Sequence, residues 1–213
     1  MNKDTKDAIK EWEVKAALIG GRGFTGAYQT IFIDDECTIE GGRHKNVRNN
    51  ILNNLRFVKD KTVIDFGCNV GGVCIDAKNA GATSVVGVDI SQSAIGLAKE
   101  LVGIVDLDID YKVIDLDATD EEVFRETVSR DNFDVALLLS IWRHIDIEKF
   151  ASWVGNVVDS IIVFEGHASM ANERNICEDI LRRNLTGFSI RYLGEAGNYA
   201  KVTTGRPIFI CEK

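Results

Sequence analysis

The chain has 213 residues, 45% hydrophobic and 27% charged, with 25 lysines and arginines against 33 aspartates and glutamates for a net charge of −8. Length and composition support one core and exclude disordered and fibrous classes, and the negative balance argues against nucleic acid or anionic lipid as a partner without excluding a local RNA contact. No stretch approaches the roughly 18 uncharged apolar residues of a membrane span, and the opening MNKDTKDAIKEWE lacks a signal peptide's basic-then-apolar run, so a soluble, cytoplasmic protein with no membrane partner is expected.

The first 60 residues read as a lid or cap. A helix is predicted in DAIKEWEVKAAL, then a glycine-rich IGGRGFTGAYQ, then a small hairpin in TIFI-DDE-CTIE. Val47, Ile51, Leu55 and Val58 recur at helical spacing and predict a further helix. From residue 61 onward, β-branched runs alternate with helical patterns, which predicts an α/β fold with a mainly parallel sheet. Strands are predicted at 61–66, 83–90, 110–116, 133–140 and 159–165, apolar on both faces as strands covered by helices on each side must be. Helices are predicted near 71–80, 92–102, 119–129, 146–156 and 172–185, with Ser91 as an N-cap and Gly81 just past a C-terminus. FSIRYLGEA and IFICEK predict a closing hairpin, with the sole proline, Pro207, at a strand start. Residues 61–213 therefore form one domain. The five cysteines make no C-x-x-C and read as reduced thiols, and His44, His144 and His167 share no metal-ligand spacing, so no metal is expected.

The chemistry concentrates in Val63-Ile-Asp-Phe-Gly-Cys-Asn-Val-Gly-Gly72, a strand running into a glycine loop that opens a helix. A dinucleotide fingerprint needs glycine where this chain has Asn69, and Asp65 at the strand tip would repel a diphosphate. A ligand with cationic groups and no phosphate, such as S-adenosylmethionine, fits Asp65 better. The second strand ends in Asp89, placed to hold the two hydroxyls of a ribose, with Ile90 beside it for an adenine face. The third ends in Asp115-Leu-Asp-Ala118, where Asp117 can accept from an adenine amino group and the Ala118 backbone can meet the ring.

VIDFGCNVGG, VVGVDIS, DLDAT and FDVALLLS together resemble the successive motifs of class I S-adenosylmethionine-dependent methyltransferases. The resemblance implies a Rossmann-like seven-stranded, mostly parallel sheet with helices on both faces and an antiparallel last strand. It implies S-adenosyl-L-methionine as cofactor, with Asp65, Gly67, Cys68, Asn69 and Gly71 at its methionine end, Asp89 and Ile90 at ribose and adenine, and Asp117 and Ala118 at the adenine edge. Ser140 would flank the sulfur. Tyr28-Gln-Thr-Ile, Gly42-Arg and Lys45-x-x-Arg48 are similar, more weakly, to the entry segment of relatives of the tRNA wobble-uridine carboxymethyltransferase group. The Gly-Cys-Asn-x-Gly loop with Leu-Ser-Ile-Trp is similar to methyltransferases of RNA 5′-terminal phosphates.

In an open α/β sheet the residues just after the fourth and fifth strands face the second substrate. His144, Glu165 and His167 are therefore the candidate catalytic residues, a histidine as proton acceptor and Glu165 to orient it or bind an acceptor amine. Trp142 is a candidate for stacking on a planar substrate, though an aromatic near a helix start is more often core. Arg43 is the candidate for the cofactor carboxylate, and Arg48, Tyr28 and Gln29 are candidate substrate contacts. The expected activity is methyl transfer to oxygen or nitrogen of a small molecule. One alternative is an RNA-modifying methyltransferase, which predicts a basic groove beside the pocket, for which the sequence offers only the 43–48 cluster and scattered Arg182, Arg183 and Arg191. The other is a non-catalytic S-adenosylmethionine-binding partner protein.

Overall fold

The computed structural model describes residues 1–19, 30–34, 37–41, 53–167, 173–196 and 205–213. Strands β1 (Ile31–Asp34) and β2 (Cys37–Ile39) form the antiparallel hairpin expected near the N-terminus. A seven-stranded sheet then contains β3 (Thr62–Phe66), β4 (Ser84–Asp89), β5 (Asp110–Val113), β6 (Phe133–Leu139), β7 (Val158–Glu165), β8 (Ser189–Ala196) and β9 (Arg206–Glu212), in the order β5-β4-β3-β6-β7-β9-β8. The first five run parallel, and β9 runs antiparallel between β7 and β8. This is the Rossmann-like arrangement expected, including the closing hairpin.

Alternation along each strand divides the core in two. In β3 and β6, Val63, Val135 and Leu137 face one layer, while Ile64, Phe66, Ala136 and Leu138 face the other. The first layer is covered by α1 (Lys3–Ile19), α2 (Gly72–Asn79) and α3 (Gln92–Val105). The second is covered by α4 (Glu121–Val128), α5 (Ile147–Val154) and α6 (Glu173–Asn184), and its centre is aromatic. Phe66 lies edge-on to Phe150 at 4.9 Å between ring centroids and 5.4 Å from Phe124, a geometry that the ring quadrupoles favour. Side-chain caps start three of the helices: Ser91, Asp120 and Asp146 accept from the backbone N–H of Ala94, Val123 and Lys149.

Helix α1 of the expected N-terminal cap packs into the core: Ile9, Trp12 and Ala16 are buried with the first layer, and the Trp12 indole donates to the Leu97 carbonyl at 2.8 Å. The helix predicted through Leu55 and Val58 is, over Asn53–Val58, a 3-10 turn in which Leu55 has φ 59°, a left-handed conformation that interrupts an α-helix. Val47 and Ile51 lie outside the described residues.

Among the described cysteines, Cys68, Cys74, Cys177 and Cys211 are free thiols, as expected, and burial pushes Cys177 and Cys211 up to about 12. Thiolate is the reactive form, so both are expected to stay unlabelled in a short iodoacetamide pulse on the native protein. Mass spectrometry should find them modified only after unfolding.

Candidate functional site

The strand order reverses between β3 and β6, and in open sheets of this kind ligands bind beyond the carboxyl ends of the strands at that point. A cavity of about 470 Å³ opens there, within the range of small-molecule sites. Gly67 follows β3, Asp89 and Ile90 close β4, Ile114 to Asp117 follow β5, Leu139 to Ile141 close β6, and His144, Ile145 and His167 complete the wall with Arg206. Because β9 is antiparallel, its first residue, Arg206, reaches the edge where the parallel strands end.

The glycine loop is shaped by its backbone. Gly67 and Gly71 have φ 75° and 83°, and Asn69 has φ 52°. A Cβ on Gly71 would fall on the Tyr111 hydroxyl, which itself donates to the Gly71 carbonyl at 3.4 Å. Gly71→Ala combines a left-handed conformation with this collision and is expected to cost roughly 2–4 kcal/mol, or about 5–15 °C in Tm for a chain of this size. Tyr111→Phe in the same chain should return only part of the loss, because the ring carbon Cζ still lies 2.7 Å from the added methyl. A Gly71→Ala protein melting with the wild type would contradict the loop conformation.

Asp89 is held rather than mobile. Its Oδ2 accepts from the Asn69 N–H at 2.8 Å and its Oδ1 from the Ser91 N–H at 2.9 Å. Each oxygen keeps a lone pair for a further donor, so the carboxylate can accept from two adjacent hydroxyls. Beside it, Ile90 is 65% exposed, a large apolar side chain open to the cavity. Asp117 also lines the wall, but its Oδ1 already accepts from the Asp146 N–H at 2.7 Å. Asp115 closes the turn after β5, accepting from the N–H groups of Asp117 and Ala118 at 3.0 and 3.4 Å.

Across the cavity, Ser140 has φ 68° and its hydroxyl lies 2.6 Å from both Glu165 Oε1 and Arg206 Nη1. Glu165 is fully buried, 3.5 Å from the guanidinium of Arg206, itself 2% exposed. The rings of His144 and His167 meet edge-on with centroids 6.3 Å apart. The His167 N–H of the backbone donates to Glu173 Oε1 at 3.0 Å, and Arg143 donates to the other oxygen at 2.9 Å. The buried ring nitrogen Nδ1 of His167 has no partner among the described residues. Burial, then the charges of Arg206 and His144, lower the pKa of His167 and favour its neutral form.

The structure thus brings Gly67, Asn69, Asp89, Ile90, Asp117, Ser140, His144 and His167 to one wall. It does not bring Glu165 to that wall: the carboxylate is fully buried behind it, bonded to Ser140 and paired with Arg206. Ala118 is turned into the Asp115 turn, and Trp142 packs against the aromatic layer with the Arg143 guanidinium 4.6 Å above its ring. Asp65, Cys68 and Gly71 stand outside the described wall. Asp65 is buried and accepts from the Cys74 thiol at 3.5 Å, Cys68 is buried against Gly87, and Gly71 packs on Tyr111. Tyr28, Gln29, Arg43 and Arg48 lie outside the described residues. No group of three metal-ligating side chains occurs among the described residues, and no helix there is long and apolar enough to cross a membrane.

A family model for a methyltransferase domain matches residues 40–159. Among curated proteins, the chain is 39% identical over 100 residues to protein arginine N-methyltransferase 1 of Saccharomyces cerevisiae, covering 46% of this chain and 28% of that one. It is 36% identical over 89 residues to ribosomal protein L11 methyltransferase of Thermotoga petrophila, covering 41% and 34%. The chain thus spans about a third of the length of these relatives. Among solved structures, magnesium protoporphyrin IX methyltransferase from Synechocystis PCC 6803 superposes with a TM-score of 0.60 at 20% identity over 79% of this chain and 78% of that one. The bifunctional kinase-methyltransferase WbdD superposes at 0.65 and 21% identity over 92% and 45%.

Proposed function

Because the chain belongs to the methyltransferase-domain family, we propose that it transfers a methyl group from S-adenosylmethionine to oxygen or nitrogen of a small molecule. The observation that carries the cofactor is Asp89, a strand-tip carboxylate fixed by two backbone N–H groups, with free lone pairs and an open apolar side chain beside it. A ribose and an adenine need those two features side by side. Asp89 would hold the ribose hydroxyls, Ile90 and Leu116 the adenine faces, Asp117 its amino edge, and Ser140 the far end. When bound, S-adenosylmethionine supplies a methyl group on a sulfonium. Alignment of the acceptor and acceptance of its proton are then left to this chain.

His167 is suited to the proton. It lines the cavity, its Nδ1 is uncommitted among the described residues, and burial keeps it neutral, so it can accept near neutral pH. The same lowered pKa makes a stability prediction. The unfolded chain, with its histidines near pKa 6.5, takes up this proton more readily than the folded one, so His167 costs stability progressively as pH falls below about 6.5 toward its folded value. Denaturant titrations from pH 7.5 to 5 should show His167→Gln losing less stability than the wild type; equal losses would deny the shift.

A small molecule is favoured over RNA because the three described arginines that a basic groove would draw on are each paired with a carboxylate, while residues 43–48 lie outside the described residues. Arg182 pairs with Glu178, Arg183 with Glu148 and Arg191 with Glu212. The test of the cofactor is calorimetric titration with S-adenosylmethionine, S-adenosylhomocysteine and NAD. Saturable binding of both adenosyl ligands and none of NAD is expected, followed by acceptor screening for mass gain. Binding of NAD alone, or of nothing, would overturn the reading, and cofactor binding without turnover on any acceptor would favour a non-catalytic partner protein.

A further inference from the structure

The sheet order separates the charges of the cavity. Strands β5, β4 and β3 occupy one half of the sheet edge, and β6, β7 and β9 the other. All three carboxylates on the described wall, Asp89, Asp115 and Asp117, close β4 and β5. On the other half the wall presents Ser140, His144, His167 and Arg206. None of the wall residues on that half is a carboxylate, and the two buried carboxylates behind it are engaged: Glu165 with Ser140 and Arg206, Glu173 with Arg143 and the His167 backbone.

We infer that the methyl acceptor carries an oxyanion, a carboxylate or a phosphate, seated between Arg206 and His167. This rests on the methyltransferase reading above, with the residues that follow β6 and β7 facing the acceptor. A guanidinium fixed by Ser140 and Glu165 cannot retreat to water, and it keeps its charge at any working pH. An acceptor oxyanion would gain a charge-assisted hydrogen bond from it and would lie against the His167 ring on the same wall. A cationic acceptor, such as an arginine or lysine side chain, would meet like charge with no carboxylate on that half of the described wall to receive it. The site therefore selects against the acceptor type named by the yeast relative and for acids.

The experiment follows the imidazole NMR signals of His167 and His144 in protein saturated with S-adenosylhomocysteine, titrated in separate arms with inorganic phosphate and with benzoate. At least one anion is expected to move the His167 signals saturably and to raise the pH at which that ring titrates; the stronger arm identifies phosphate or carboxylate as the group recognised. Arg206→Met should weaken the effect at least about tenfold, the loss of one charge-assisted hydrogen bond. If that variant fails to fold by circular dichroism, His167→Gln, read through His144 and calorimetry, carries the same expectation. Signals that move with neither anion, or equally in wild type and a folded variant, overturn the inference. Calorimetry on the same samples keeps the two readings apart: S-adenosylhomocysteine binding without anion binding overturns only the oxyanion, whereas failure to bind S-adenosylhomocysteine overturns both.

Discussion

Asp89→Ala is expected to weaken S-adenosylmethionine binding at least about 100-fold. A hydrogen bond to a charged acceptor contributes about 1.5–3 kcal/mol, and two ribose hydroxyls on one carboxylate therefore account for roughly two to four orders of magnitude in Kd. The substitution also leaves the Asn69 and Ser91 N–H groups without their acceptor. The Asn69 contact is exposed, so water can replace it there, and the melting temperature should move far less than the affinity. Asp117→Ala supplies the comparison. An adenine amino group gives Asp117 one hydrogen bond where the ribose gives Asp89 two, so its loss should cost only about tenfold. Calorimetry on the two variants orders them. An Asp117 effect equal to or above that of Asp89 would place the ribose elsewhere, and full affinity in Asp89→Ala would remove the basis for the cofactor altogether.

How much of this was legible depended on whether a feature is local. Strands apolar on both faces, such as β3 and β6, announce themselves because every residue along them must be buried. Asp89 was legible for the opposite reason, a charge ending an apolar run beside a glycine loop. The apolar pattern of Ile114 and Leu116 extends the predicted β5 three residues past its end at Val113, because Asp115 bonds the N–H groups of Asp117 and Ala118 and turns the chain out of the sheet. That same bond removed Ala118 from the wall. Glu165 and Trp142 were placed in the site because they follow strand ends; only the fold shows the first tied to Ser140 and the second packed into the aromatic layer. Arg206 carries no signal in the sequence. It stands next to a proline in a terminal strand, with nothing local to mark it, and reaches the cavity only because that strand runs backwards into the sheet, 66 residues from the serine that it bonds.

Glu165→Leu is expected to be among the most damaging single substitutions in the chain, and a second substitution should repair it. With the carboxylate gone, the Arg206 guanidinium stays charged at 2% exposure, and a buried charge deprived of its partner costs about 3–5 kcal/mol, roughly 6–20 °C in Tm. Arg206→Met should cost less, because a stranded carboxyl group can take up a proton whereas a guanidinium cannot lose one. The pair Glu165→Leu with Arg206→Met removes both charges from one buried neighbourhood, beside Ile208, which lies opposite Glu165 across β7 and β9. It should recover most of the stability, short of the roughly 1 kcal/mol that the Ser140 hydroxyl loses with its partners. Thermal melts of the four proteins form a double-mutant cycle. A large positive coupling is the expected outcome, and simple additivity would mean that the two groups do not sense each other's charge. The repaired protein also separates stability from recognition. If the ion pair existed only to hold the β7–β9 edge, the double variant would keep the anion response of His167; if Arg206 is there for the acceptor, the variant folds and the response is lost.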